Sequence, residues 1–284
     1  VWIMAYTTID NPELYFQTKL YTGNGTAIGS GGQAITLDGD EDMAPDLVWL
    51  KKRSAGGGHY LTDRVRGATK TIYPDGVDAE GTVAQALTAF GSDGFTVGTD
   101  SGINVSSGTH VAWCWKANGT GSSNTDGTIN TAATSANTTA GISIVSYTSN
   151  GSSSQTVGHG LGAVPHMIIS KNRDSSSSSY NYWTVYHHKN ASANDKKLKL
   201  NTNDAASTTN EWGDTDPTSS VYSLHTSGDG ATNDGTDKIV SYVWTSIKGF
   251  SKFGKYEGNG NNDGPVVYTG FKPALIWCKG VNSN

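Results

Sequence analysis

Tyr21-Thr22-Gly23-Asn24-Gly25 opens a motif that the chain spells again as Tyr147-Thr148-Ser149-Asn150-Gly151 and as Tyr256-Glu257-Gly258-Asn259-Gly260. Downstream of each copy, a proline leads a short apolar run that ends in lysine. The runs are Pro45-Asp46-Leu47-Val48-Trp49-Leu50-Lys51, Pro165-His166-Met167-Ile168-Ile169-Ser170-Lys171 and Pro273-Ala274-Leu275-Ile276-Trp277-Cys278-Lys279. Recurrence of this kind marks an array of like units. Asn and Gly suit tight turns, so each copy reads as a strand, a turn and a second strand. A duplicated β unit more often presents surface than builds an active site, because a catalytic constellation needs residues unique to one copy.

Working outward from the motif, Phe16 to Tyr21 alternates and reads as a strand. Further strands are expected at Leu47–Lys51, Tyr60–Asp63, Lys70–Tyr73, Gly94–Gly98 and His110–Lys116, while Val83 to Phe90 would tolerate a helical turn. Alternation in the last strand puts Trp113 and Trp115 on one face, Ala112 and Cys114 on the other. The same order returns at Ile142–Tyr147, Trp183–Tyr186, Leu198–Leu200, Val221–Leu224 and Ile239–Trp244. The expected organisation is an N-terminal segment at 1–14, a first β-sandwich repeat at 15–119 and a linker at 120–140 with room for one short strand near Ile129. A second repeat follows at 141–253, and an incomplete third, of two strands, begins at 254–284. The expected fold class is all-β: tandem antiparallel β-sandwich repeats, jelly-roll or lectin-like. The Cys…Trp…Cys spacing of an immunoglobulin sandwich is absent.

Composition agrees. The 284 residues include 36 Gly and 7 Pro, only 16% are charged, and short apolar runs alternate with Gly, Asn, Ser and Asp. Eight Trp and 13 Tyr can build a core, which argues against a disordered chain. A net charge of −5 gives no basic footprint for nucleic acid. No run approaches the roughly 18 apolar residues of a membrane helix. The opening residues lack a basic flank and an apolar stretch, so no signal peptide is expected. Cys114 and Cys278 fall at strand positions held by other small or apolar residues in the sister copies, and are expected to stay free.

Candidate chemistry is sparse. Asp38, Asp40 and Asp42 match the first ligands of a calcium loop, but Met43 and Trp49 stand where its Gly and Glu belong; a structural calcium there is a weak candidate against a solvated loop. His187-His188 lacks the spacing of a zinc site. Arg64 and Arg66, with Lys70 close by, could hold a phosphate or acidic sugar, or pair with nearby Asp residues. Tyr180, Tyr182, Trp183 and Trp212 lie at strand ends and loops and are candidates for surface recognition, set against a place in the core. No nucleophile elbow is present, so no catalytic residue and no cofactor site is assigned.

Several stretches resemble a family of repeat-containing proteins encoded by tailed bacteriophages, especially marine ones. They are Met4 to Asp10, Val65-Arg66-Gly67-Ala68-Thr69-Lys70, Val111 to Gly119, Val157 to Gly162 and Gly249 to Gly254. The resemblance implies a virion-associated structural protein at the virion surface and offers no catalytic residues. The expectation is a non-enzymatic tail fibre or appendage whose loops bind a host glycan or protein, contacting other virion proteins, with neither nucleic acid nor membrane insertion. Such fibres are commonly homo-oligomers, and a trimer is the expected order. The alternatives are a purely architectural capsid or tail decoration protein, and a carbohydrate-active tailspike enzyme.

Overall fold

The computed structural model describes residues 7–175, 181–226 and 231–282. Its first half carries β1 (Phe16–Thr22), β2 (Gln33–Ile35), β3 (Leu47–Lys52), β4 (His59–Asp63), β5 (Lys70–Thr71), β6 (Gly81–Thr82), β7 (Leu87–Phe90), β8 (Phe95–Val97) and β9 (Thr109–Trp115). The second half carries β10 (Ala133–Asn137), β11 (Ile142–Thr148), β12 (Gln155–Gly158), β13 (Met167–Asn172), β14 (Thr184–His187), β15 (Lys196–Lys199), β16 (Ser207–Thr208), β17 (Val221–Leu224) and β18 (Lys238–Trp244). The fold is all-β and every strand pairing is antiparallel.

Strand order follows the repeated motif. The first main sheet runs β1-β9-β3-β4, and the second contains β11-β18-β13-β14 in the same sequence. Register matches too. Trp115 of β9 lies opposite both Phe16 and Leu47, and Trp244 of β18 lies opposite both Ile142 and Met167. The Pro-led run is therefore never adjacent to the strand before its turn; a central strand from much later in the chain lies between them.

Alternation of side chains then makes four layers. Ala112 and Cys114 face a core shared with the small sheet β2-β8-β7, where Ile35, Leu87, Phe95 and Val97 are buried. On the second main sheet, Val145, Ile168 and Val243 meet Tyr222 and Leu224 of the β12-β17 pair. The opposite faces of the two main sheets pack on each other. Leu47, Leu61 and Trp115 meet Ile142, Ile144, Ile169, Tyr242 and Trp244 there, with Trp49 and Trp113 packed alongside. This third core joins the halves.

Four expectations change. Residues 83–90, which could have held a helical turn throughout, divide into a turn closed by the Ala86 amide on Val83 O at 3.0 Å and strand β7, where Leu87 is buried. Residues 120–140 are more than a linker: Ile129, where a short strand was expected, forms a bridge to Val157, and β10, which was not expected, adds an edge to the second sheet. Between 245 and 282 no described residue lies in a strand, so the two strands expected after 254 are not formed. Cys278, expected to sit like a core or strand residue, is exposed; Cys114 is buried, and both are free.

Candidate functional site

The corner where β3 begins holds a cleft of about 470 Å³, lined by Asp46, Arg64, Phe90, Gly91, Ser92 and Lys116 among others. Asp46 precedes β3 and is buried. Its Oδ2 accepts from the amides of Ala117 (2.8 Å) and Gly119 (3.2 Å), which ties the start of β3 to the chain leaving β9. Its Oδ1 lies 2.8 Å from Arg64 Nε, close enough for charge attraction though off the line of a hydrogen bond. Arg64 also donates to the carbonyls of Pro45 (3.1 Å) and Gly91 (3.3 Å) and covers the Phe90 ring at 4.9 Å. Lys116 adds a second cation to the lining. Arg64 balances Asp46, so Lys116 leaves the lining with one net positive charge, which suits a small anionic group. The cleft has no second carboxylate to share acid–base work with Asp46.

The second half builds the same corner with other chemistry. His166 stands before β13 as Asp46 stands before β3, and its Nδ1 accepts from the Ser246 amide at 3.0 Å. His188 takes the place of Arg64: each donates its amide to the carbonyl of the residue before the strand. The two imidazoles stack at 4.0 Å, with His187 5.5 Å from His188. Burial, then the neighbouring His188, His166 and Lys189, push the His187 ring down to about 4. Here the corner is closed, because His188 Nε2 reaches the carbonyl of Phe253 at 3.1 Å. The signal in the sequence was variation at one fixed place: Asp46, His166 and Ala274 each follow the motif's proline.

The residues expected at a recognition surface are mostly elsewhere. Trp183 (0% exposed) lies in the central core and donates Nε1 to Tyr73 of the other half at 2.9 Å. Trp212 (1% exposed) sits under Tyr186 in the outer core of the second half. Both are corrected from surface to core: each indole is large and apolar, and each finds a sheet face to fill. Arg66 is corrected too. It is a buried strut, with Nε 2.5 Å from Asp63 and its other nitrogens on Glu80 (3.0 Å), Leu61 O (3.0 Å), Lys70 O (3.1 Å) and Tyr242 Oη (3.2 Å). Tyr242 donates to Asp63 at 2.7 Å, and burial holds its hydroxyl well above the ordinary range. Glu80 meets Arg173 of the second half through both oxygens at 2.9 Å. Burial opposes its charge, but Arg173 and Arg66 together draw its carboxyl below the ordinary value. Tyr182 is half-buried beneath Lys199, whose Nζ stands 3.6 Å from the ring centroid. Tyr180 lies outside the described residues. Among the described candidates, Arg64 alone lines an open cleft.

The acidic run does not converge. Asp38 pairs with Lys19 at 3.1 Å, and the Asp40 amide goes to Glu13 at 2.8 Å. Among the described residues, no three His, Cys, Asp or Glu side chains gather as a metal site. Among the same residues, no helix is long and apolar enough to cross a membrane.

A family model described as a domain of unknown function, DUF7483, matches residues 11–284. The chain belongs to that family. The DUF7483 match takes in both main sheets, the Arg64 cleft and the strandless segment after residue 245. Comparisons with curated proteins and with solved structures find no match.

Proposed function

We propose that this DUF7483 chain is a non-enzymatic structural protein of a tailed-bacteriophage virion, a fibre or surface appendage built from duplicated β-sandwiches. The observation that carries the reading is the repeated main sheet: two sheets of one strand order and register, packed face to face and joined by a buried ionic network. Such a stack resists deformation and leaves its corners to vary, the usual division between scaffold and loops. The Asp46–Arg64 corner is open and cationic while the His166–His188 corner is closed, so the host-binding loop on this reading is the first. Its ligand is a carboxylate-bearing sugar or a similar small anion.

A purely architectural role is the second reading. It gains from the exposed apolar side chains of the C-terminal segment, Val266 (95%), Tyr268 (78%) and Ile276 (69%), which suit contact with protein better than with sugar. Immunogold labelling of particles that carry the chain separates the two. Label at appendage tips supports host binding, and label spread over the shell supports decoration. No label on particles would sink both.

A further inference from the structure

The second corner is held shut by bonds that need a neutral imidazole. His166 Nδ1 accepts the Ser246 amide at 3.0 Å and lies 2.8 Å from Ser246 Oγ. Ser246 Oγ in turn accepts the Phe253 amide at 3.1 Å, and His188 Nε2 donates to the Phe253 carbonyl at 3.1 Å. Between these two points the chain closes on itself, since Phe250 and Ser251 both donate their amides to Ile247 O at 2.9 Å. Residues 246–253 therefore form a strap tied at each end to one of two stacked rings, His166 before β13 and His188 after β14.

Protons undo this arrangement. One on His166 Nδ1 would point at the Ser246 N–H, leaving two donors face to face. A second on His188 would place two like charges in a stack 4.0 Å apart. His187, whose Nδ1 accepts the Lys189 amide at 3.2 Å, is the third ring of the cluster. The segments that meet here offer no counter-charge. Residues 163–167, 186–190 and 244–254 contain no Asp or Glu, and their other charged residues are Lys189, Lys248 and Lys252. Burial, then His188 and Lys189, hold His166 below the ordinary histidine value. Burial and Lys189 do the same to His188, against the pull of the Phe253 carbonyl. The closed corner thus resists protonation, whereas rings released into water take protons at the ordinary value, so acid favours opening.

We propose that acid converts this corner into a further anion site. Protonation of His166 and His188 releases the 246–253 strap, and the uncovered imidazolium pair, with Lys189 next along the chain, takes a small oxyanion. The equivalent place in the first half already stands open, with Arg64 and Lys116 in its lining. There the cations are permanent, and here they are conditional. The inference rests on this corner's own bonds, and not on the chain's place in a particle or on what the first corner binds.

The test is amide hydrogen exchange and histidine proton NMR on the full chain, at neutral pH and at about pH 5, with inorganic phosphate or with sodium chloride of equal ionic strength. Once the intrinsic effect of pH is divided out, exchange at 246–253 is expected to quicken in acid by about tenfold or more. Phosphate is expected to raise the titration midpoints of His166 and His188, and to leave that of His59 where it was. In His166→Gln the amide oxygen still accepts from Ser246 but takes no proton. That variant is expected to keep the strap protected in acid and to lose the phosphate effect, and its exchange map at neutral pH checks that it folds. A strap equally protected at both pH values, midpoints that phosphate moves no more than chloride does, or acid loosening that survives His166→Gln would each overturn the proposal.

Discussion

Lys171 shows how one residue type takes three environments at one motif position. Its counterparts Lys51 and Lys279 reach the carbonyls of Gly57 and, at 2.8 Å, Thr202. Lys171 is wholly buried between the halves, donating to Asn172 O at 3.0 Å and Val77 O at 3.3 Å, and burial lowers its ammonium from 10.5 to about 7. The unfolded chain therefore binds the extra proton between pH 7 and 10.5, and stability rises with pH through that window. Lys171→Met should flatten the rise and raise stability at pH 7 by on the order of 1 kcal/mol, since Asn181 still donates to Val77 O. Urea melts of both proteins at pH 7 and 9.5 read this directly. His187 works at lower pH with the same sign. Its folded value of about 4 against 6.5 unfolded means that stability is full above pH 6.5 and falls as pH drops from 6.5 toward 4. His187→Gln should make the melting temperature less sensitive to pH across that window. If the open corner takes an acidic oligosaccharide as proposed, Lys116→Glu should weaken that binding by about tenfold or more, a change of about 1.4 kcal/mol, which calorimetric titration would detect.

At the scale of elements, the turns depend on buried asparagines that arrive from elsewhere. Asn104 Oδ1 accepts from the Asn24 amide at 2.9 Å, and Asn233 Oδ1 from the Asn150 amide at 3.0 Å. Both side chains are buried and also donate, Asn104 to Gly98 O at 2.7 Å and Asn233 to Ser152 O at 2.6 Å, so Asn104→Ala and Asn233→Ala each lose two hydrogen bonds and should cost about 1–3 kcal/mol in chemical denaturation. Loss in only one would mean that the two turns are not built alike. Strands with alternation, such as β1 and β9, or with a bounded apolar run, such as β13 and β18, were legible in the sequence to within about a residue or two. Gln33–Ile35 and Gln155–Gly158 were not, because their short polar runs gain strand geometry only by pairing with β8 and β17. Residues 133–137 read as linker because Ala-Thr-Ser-Ala-Asn carries no apolar face; β11 supplies the pairing. At the cleft, Arg64 was legible as a cation near acids. Its partner Asp46 was not, since β3 and β4 must pair before the two meet.

For the whole molecule, the sequence suggested two sandwiches with their own cores and gave no sign of the third core between them. The alternation of Trp113 and Trp115 against Ala112 and Cys114 was visible, but not that the tryptophan face would meet a second sheet. The aromatics that looked suited to a surface are buried in these layers. The same logic explains Arg66, whose charge is matched inside by Asp63 and Glu80. Arg66→Met removes the cation and leaves Asp63 buried without it, so it should destabilise by about 3–5 kcal/mol. The loss should be felt in both halves, because Tyr242 and Arg173 complete the network from the second.

Differential scanning calorimetry of the wild-type chain and of Trp183→Ala tests the fusion of the two halves most directly. Trp183 fills the central core and bonds Tyr73 across it, so its removal should cost about 3–5 kcal/mol. The account predicts one transition, with calorimetric and van't Hoff enthalpies equal, that moves down as a unit in the variant. Two transitions, of which only the one belonging to the second half moves, would contradict it.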